Sequence, residues 1–311
     1  MRIGKFTPGE ARIALVTAIG AIGLAIAQLA APTNAVAASG VQQVVGSTAA
    51  SRAAKTLTVR CPAGTTATGA FGAIGGVTSG VHIDRLWPQG NTVRIHATPL
   101  PSVSRRWRIS GGATCVTATT DVEYRASGAA PASRASDDDQ RFGVAVRAEC
   151  PGGKELIGLG GTAVGGRLTH LQPLGPGVPY TGEPAGPGPV HGVSVIGHTY
   201  AEGRAHVSIQ AMAVCANTGH GTRVEFAETV STATEKTVAA GCGVGRQIHA
   251  TGAIITYPNH YAEKTPFSFA LLNTLNHRAD SLMGSVRVTR HVDDVPTEAW
   301  GVGAYGICAS S

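Results

Sequence analysis

The sequence predicts an all-β protein built from three related units, and three observations predict it. Apolar residues alternate with polar ones in short runs, such as Leu57, Val59 and Cys61, which is the period of a strand with one buried face. Gly, Pro and Asn separate these runs, and no capped helical stripe follows residue 37. The spacing of cysteine and glycine also recurs three times along the chain.

The composition fits a globular chain with a large core. Of its 311 residues, 43% are hydrophobic and only 14% are charged, whereas about 25% is the average for charged residues in soluble domains. These proportions exclude a coiled coil, a collagen-like fibre and a disordered tail. They indicate no activity.

Residues 1–37 are predicted to be a signal peptide. Arg2, Lys5 and Arg12 form a basic leader before an apolar run over residues 13–31, and Ala35 and Ala37 form a small-residue cleavage pattern. An uncleaved anchor is the alternative, because about 19 apolar residues can just span a bilayer. We expect cleavage, which makes the protein secreted, with no stable membrane anchor, and leaves residues 38–311 as a single domain.

Three repeats divide that domain at residues 41–115, 116–215 and 216–308, with about four strands each. The first cysteine of each repeat is followed eight residues later by glycine or alanine, a small residue suited to close contact between strand backbones. These pairs are Cys61 and Gly69, Cys150 and Gly158, and Cys242 and Ala250.

Each repeat closes on a matching segment. Trp107, Val207 and Trp300 stand eight residues before the second cysteine of their repeats, and the aliphatic member indicates a core position. Six cysteines in an exported chain indicate disulfides, and a threefold repeat favours bonds within each unit: Cys61 with Cys115, Cys150 with Cys215, and Cys242 with Cys308. Zinc is disfavoured because no Cys-x-x-Cys occurs.

We expect these units to pack around a pseudo-threefold axis, as in a β-prism; three small β-sandwiches in series are the alternative. The Cys-Pro-x-Gly opening and the Trp-x-Ile/Val…Cys closing resemble exported actinobacterial proteins of unknown function. The count of three four-stranded units is similar to vitelline membrane outer layer proteins and jacalin-type lectins, which implies a β-prism and says little about function. The third unit departs from the pattern, with Gly243 in place of Pro and Ala250 in place of Gly.

Binding is favoured over catalysis by the residues present. No G-x-S-x-G or H-E-x-x-H motif occurs, so we predict no catalytic residue, metal site or cofactor. Trp87, Tyr257 and Tyr261 lie beside Pro/Asn turns and are the candidate ligand-binding residues. They suggest a non-catalytic binding or structural protein whose partner is an extracellular glycan or cell-wall polymer.

A secreted carbohydrate hydrolase is the alternative function. It requires two facing carboxylates, for which Glu155, Glu225 and Glu263 are candidates. Nucleic acid is not an expected partner, because the densest basic run, residues 105–108, alternates between the two faces of a strand: Trp107 on one, Arg106 and Arg108 on the other.

Overall fold

The computed structural model describes residues 40–77, 79–117, 121–132, 144–176, 189–199, 207–256, 270–277, 283–290 and 299–310. The predicted signal peptide therefore lies outside the described residues. Within these ranges the chain is all-β and has no helix, as the period-two alternation predicted. None of the described segments forms a helix able to cross a membrane.

Nineteen strands lie within these ranges. In chain order they are β1 (Val41–Ser47), β2 (Lys55–Arg60), β3 (Thr65–Gly75), β4 (Val81–Gln89), β5 (Thr92–Pro99), β6 (Arg108–Thr117), β7 (Glu123–Ala126), β8 (Ala130–Ala132), β9 (Val144–Glu149), β10 (Lys154–Val164), β11 (Gly166–Leu174), β12 (Gly192–Thr199), β13 (Val207–Asn217), β14 (Arg223–Ser231), β15 (Glu235–Gly241), β16 (Arg246–Thr256), β17 (Ala270–His277), β18 (Met283–Arg290) and β19 (Trp300–Ser310).

The strands pair in one order in the N-terminal (β1–β6), middle (β7–β13) and C-terminal (β14–β19) segments. β6 lies between β1 and β3, and β5 between β2 and β4. In the middle segment β13 pairs with β7, β8 and β10, and β12 lies between β9 and β11. In the C-terminal segment β19 lies between β14 and β16, and β18 between β15 and β17.

The described part of each segment thus has six or seven strands instead of the predicted four. The prediction treated glycine-rich stretches as breaks between strands, but in β3 and β6 the glycines lie inside paired strands. A Cβ at Gly112 would stand 2.7 Å from the ring of Phe71, so the missing side chain is what lets the ring pack there.

The three segments exchange sheet partners in a cycle. Leu86 of β4 pairs with Gly161 of β10, Leu171 of β11 with Ala253 of β16, and Leu275 of β17 with Gly72 of β3. All three leucines are buried in one hydrophobic core that draws on all three segments. The alternative of three separate sandwiches in series is therefore wrong, because each segment completes its sheets with strands of the other two.

Close backbone contact joins the segments where β3, β10 and β16 meet. Each of these strands bulges by one residue, at Thr68, Ile157 and His249. A Cβ at Gly158 would stand 2.7 Å from the carbonyl carbon of Thr68, and one at Gly69 would stand 3.2 Å from the Cα of Ala250. The prediction that small residues eight positions after cysteine serve close backbone contact is confirmed.

The disulfides are those predicted: Cys61–Cys115, Cys150–Cys215 and Cys242–Cys308. Their presence fits an oxidising, extracellular environment. Trp107 and Trp300 are fully buried, as predicted. The Nζ atoms of Lys55 and Lys236 lie 4.7 and 4.1 Å from the ring centroids of these two tryptophans, so each buried ammonium has a cation–π partner.

Candidate functional site

Trp87 lies in a strand rather than in a loop. β4 continues past it to Gln89, and the hairpin turn begins only at Gly90, which has a φ of 59°. Its side chain is half-buried and lies on the outer side of the sheet, because its neighbour Leu86 is buried in the core. Tyr257 and Tyr261 lie outside the described residues, so Trp87 is the one predicted ligand residue that can be placed.

Arginine and threonine side chains surround Trp87 on the outer side of β2, β5 and β4. Arg94 of the central strand β5 pairs with Trp87 of β4 and with Thr58 of β2. Directly opposed residues share one face of a sheet. Arg85 and Arg60 lie two positions along β4 and β2, which places them on the same face. We call these five residues the Trp87 face.

The one acidic residue of β2, β4 and β5 is covered by neighbouring side chains. Asp84, the bulged residue of β4, has a side chain only 4% exposed. One of its carboxylate oxygens is 2.5 Å from Nδ1 of His96, and the other accepts a 2.5 Å hydrogen bond from the hydroxyl of Thr98. The negative charge is therefore covered, and the exposed charges of the Trp87 face are positive.

His82 ties this part of β4 to the middle segment. Its Nε2 donates to the carbonyl oxygen of Gly166, at 3.2 Å. Burial, the largest effect, and the nearby charge of Arg167 lower the pKa of His82 to about 4, against the opposing effect of Asp84. The imidazole is therefore neutral at physiological pH, and it anchors β4 to β11 without adding to the exposed charge.

The corresponding positions of the other two segments lack both the tryptophan and the arginine. Because Leu86, Leu171 and Leu275 occupy matching positions, the residues after them correspond: Trp87, Gln172 and Asn276. The residues paired with these three are Arg94, Ser194 and Ser285. The fold forms these pairs without Trp or Arg in the other two segments, so the Trp87 face is not explained by packing alone.

Sequence reasoning missed Arg60, Arg85 and Arg94. A signal was present for two of them, because the hairpin turn after Gln89 sets the register that places Arg94 opposite Trp87, and Arg85 follows by alternation. Arg60 could not be placed in this way, since β2 and β5 are joined by no short turn.

Two of the three acids proposed for hydrolysis lie in described strands. The Glu155 carboxylate accepts the backbone N–H groups of His220 and Thr222, at 2.8 and 3.3 Å. Glu225 lies on β14 opposite Gly306, and Glu263 lies outside the described residues. In the part of the chain that the structure describes, no group of three or more His, Cys, Asp or Glu side chains could hold a metal ion.

A shallow cavity of about 360 Å³ opens at the other end of β4. Serine hydroxyls and one arginine dominate its lining, which contains no carboxylate: Val77, Ser79, Gly80, Ser102, Val103, Ser104 and Arg105. Its residues offer hydrogen bonds but no acid–base pair. Trp87 is six residues along β4 from Val81, about 20 Å at the rise of a strand, so the two features are separate.

Comparison with known proteins does not assign a family. No protein-family model matches the chain, and no curated protein matches it. The function therefore has to be argued from the geometry of the Trp87 face.

Proposed function

We propose that this is a secreted, non-catalytic protein that binds an extracellular glycan or cell-wall polymer through the Trp87 face. The observation that carries the proposal is an indole on an outer sheet face, at a position filled by Gln172 and Asn276 in the other segments. An aromatic face packs against the C–H groups of a sugar ring, and neighbouring Thr58 offers a hydroxyl for hydrogen bonding.

We also propose that the three segments form a β-prism, with three sheets around a pseudo-threefold axis. The cyclic pairing supports this arrangement: the described strands form a six-stranded sheet and a thirteen-stranded sheet, and each sheet joins strands of different segments. One six-stranded sheet has the order β14-β19-β16-β11-β12-β9, which joins the last segment to the middle one in this manner. Such an arrangement presents three outer faces, of which one carries Trp87.

Secretion and the absence of catalysis complete the proposal. Every cysteine is in a disulfide, which supports export to an oxidising compartment. Binding is preferred to hydrolysis because Asp84 and Glu155 hold neighbouring groups of the protein itself. A hydrolytic pair would instead face a cleft across a sugar.

Retention on insoluble cell-wall polysaccharide tests the proposal. Trp87→Gln places in β4 the residue that the middle segment has at the matching position, so the fold should tolerate it. We expect the wild-type protein to be retained, and the variant to lose about tenfold in affinity, since truncating an anchoring aromatic residue costs more than about 1 kcal/mol. Val244→Ala is the control, because Val244 is 99% exposed and lies in the turn before β16.

The proposal fails if the wild-type protein is not retained, or if Trp87→Gln is retained as well as the wild type. Thermal unfolding of both variants checks that any loss of retention does not come from loss of structure.

A further inference from the structure

We propose that the polymer bound by the Trp87 face is a polyanionic polysaccharide, one that carries carboxylate or phosphate groups along its chain. This inference rests on the proposed function and adds the charge of the ligand. It stands on three guanidinium groups, those of Arg60, Arg85 and Arg94, which share the face with the indole.

The spacing of these groups suits a chain of sugars with charged substituents. Arg94 lies on the strand next to that of Trp87, about 5 Å away, and Arg85 lies two residues along the same strand, about 7 Å away. Arg60 is on β2, one strand further out. A sugar ring stacked on the indole therefore has cations beside it and along the strand direction, within reach of substituents on that ring or the next.

Within the described ranges, no carboxylate forms an ion pair with an arginine of this face. Arg60 and Arg94 are exposed and have no carboxylate partner among the described residues. Arg85 uses its Nε–H in a 3.4 Å contact with the hydroxyl of Thr162, which leaves four of its five N–H donors. Asp84 is the one acidic residue in β2, β4 and β5, and its carboxylate is covered.

Arginine is suited to this ligand because its planar fork of donors binds a carboxylate or a phosphate through two parallel hydrogen bonds. A neutral glycan would offer these three guanidinium groups no anionic partner. Nucleic acid is disfavoured by the same geometry, because single strands are bound by successive aromatic platforms. The five residues of the Trp87 face are one tryptophan, one threonine and three arginines.

The test measures binding of the full-length secreted protein to four soluble probes: polygalacturonate, poly(glycerol phosphate), dextran and a thymidine oligonucleotide. We expect at least one of the first two to bind about tenfold more tightly than dextran, as expected from charge-assisted hydrogen bonds. Raising NaCl from about 0.1 to 1 M shortens the Debye length from about 10 to 3 Å and should weaken that binding. Preference between the two probes distinguishes a carboxylate from a phosphate ligand.

Arg94→Ser installs the residue found at the matching position of both other segments, so it should fold. We expect it to lose about tenfold in affinity for the polyanion. Arg223→Ser, which removes an exposed arginine at the start of β14, should retain the affinity of the wild type.

The outcomes separate the two proposals. Equal, Trp87-dependent binding to dextran and to both polyanions overturns the charge assignment and leaves glycan binding in place. Binding to none of the four probes overturns the charge assignment, and failure on insoluble cell wall overturns glycan binding itself. Tightest binding to the oligonucleotide, or equal losses in Arg94→Ser and Arg223→Ser, overturns the assignment to a polysaccharide at this face.

Discussion

Gly158 lies where β10 passes closest to β3, directly after the bulge at Ile157. A Cβ at this position would stand 2.7 Å from the carbonyl carbon of Thr68 and still closer to its oxygen. Real Cβ atoms essentially never approach another atom within 3.0 Å, so in Gly158→Ala the Thr68 peptide has to move. The side-chain hydroxyl of Thr68 contacts the carbonyl oxygens of Thr114 and His249, at 3.4 and 3.3 Å. A shift of Thr68 weakens both contacts.

The size of the effect follows from two opposing contributions. Overpacking costs about 1–3 kcal/mol, and the upper end applies because the clash is with a backbone that is held on two sides. Alanine restricts the unfolded chain and returns about 0.4–1 kcal/mol. We therefore expect Gly158→Ala to lower the free energy of unfolding by about 2 kcal/mol, which corresponds to a fall in Tm of about 4–8 °C.

Urea denaturation and calorimetry measure both quantities, and Gly152→Ala is the matched control. Gly152 lies in the exposed turn before β10, has no atom within 4 Å of a Cβ and does not require a positive φ. It should unfold at or slightly above the wild-type Tm. If Gly158→Ala unfolds together with Gly152→Ala, the close contact between β10 and β3 does not contribute to stability and the reasoning is refuted.

Two further predictions concern the disulfides and pH. Replacing both Cys242 and Cys308 by serine should lower the free energy of unfolding by about 4 kcal/mol, the chain-entropy value for a loop of this length; a urea midpoint equal to that of the wild type would contradict it. His82 and His249 have pKa values of about 4 in the folded protein, mainly because of burial. Between pH 6.5 and 4 the unfolded chain binds more protons, so stability should fall as the pH is lowered through this window, by about 3 kcal/mol per histidine. His249→Ile, which copies Ile157, should lose this contribution, and an unchanged pH dependence of the urea midpoint in the variant would contradict the assignment.

The inward-facing half of the structure could be predicted from the sequence. Buried positions leave patterns in the sequence that can be recognised locally. These are the alternation with a period of two, small residues where backbones touch, and cysteines at matching positions. Gly69 and Gly158 lie in the predicted close contacts, and Trp107 and Trp300 are in the core. Each of these features depends on the residue and its near neighbours in the chain.

The remaining features depend on contacts between distant parts of the chain. The pairing of Leu86 with Gly161, or of Leu275 with Gly72, depends on how the three segments share sheets. It could not be predicted from the sequence, because no short turn connects the paired strands. The position of Arg60 near Trp87 depends in the same way on the register of β2 with β5. Side chains on an outer face carry no burial signal, so their grouping is visible only once the sheet is formed.

Comparison of the three segments separates the demands of folding from those of function. At the inward position next to a neighbouring segment all three have leucine: Leu86, Leu171 and Leu275. One residue further along the chain they differ, with Trp87, Gln172 and Asn276, and only the first segment has tryptophan. Packing constrains the first position because the leucine fills a core shared by all segments, and a smaller residue there would leave a cavity. The next position holds a different residue in each segment, so a ligand-binding face can arise on one sheet without the same residues on the other two. By the same reasoning, Trp87→Gln and Arg94→Ser, which copy Gln172 and Ser194 of the middle segment, should weaken binding with little loss of stability.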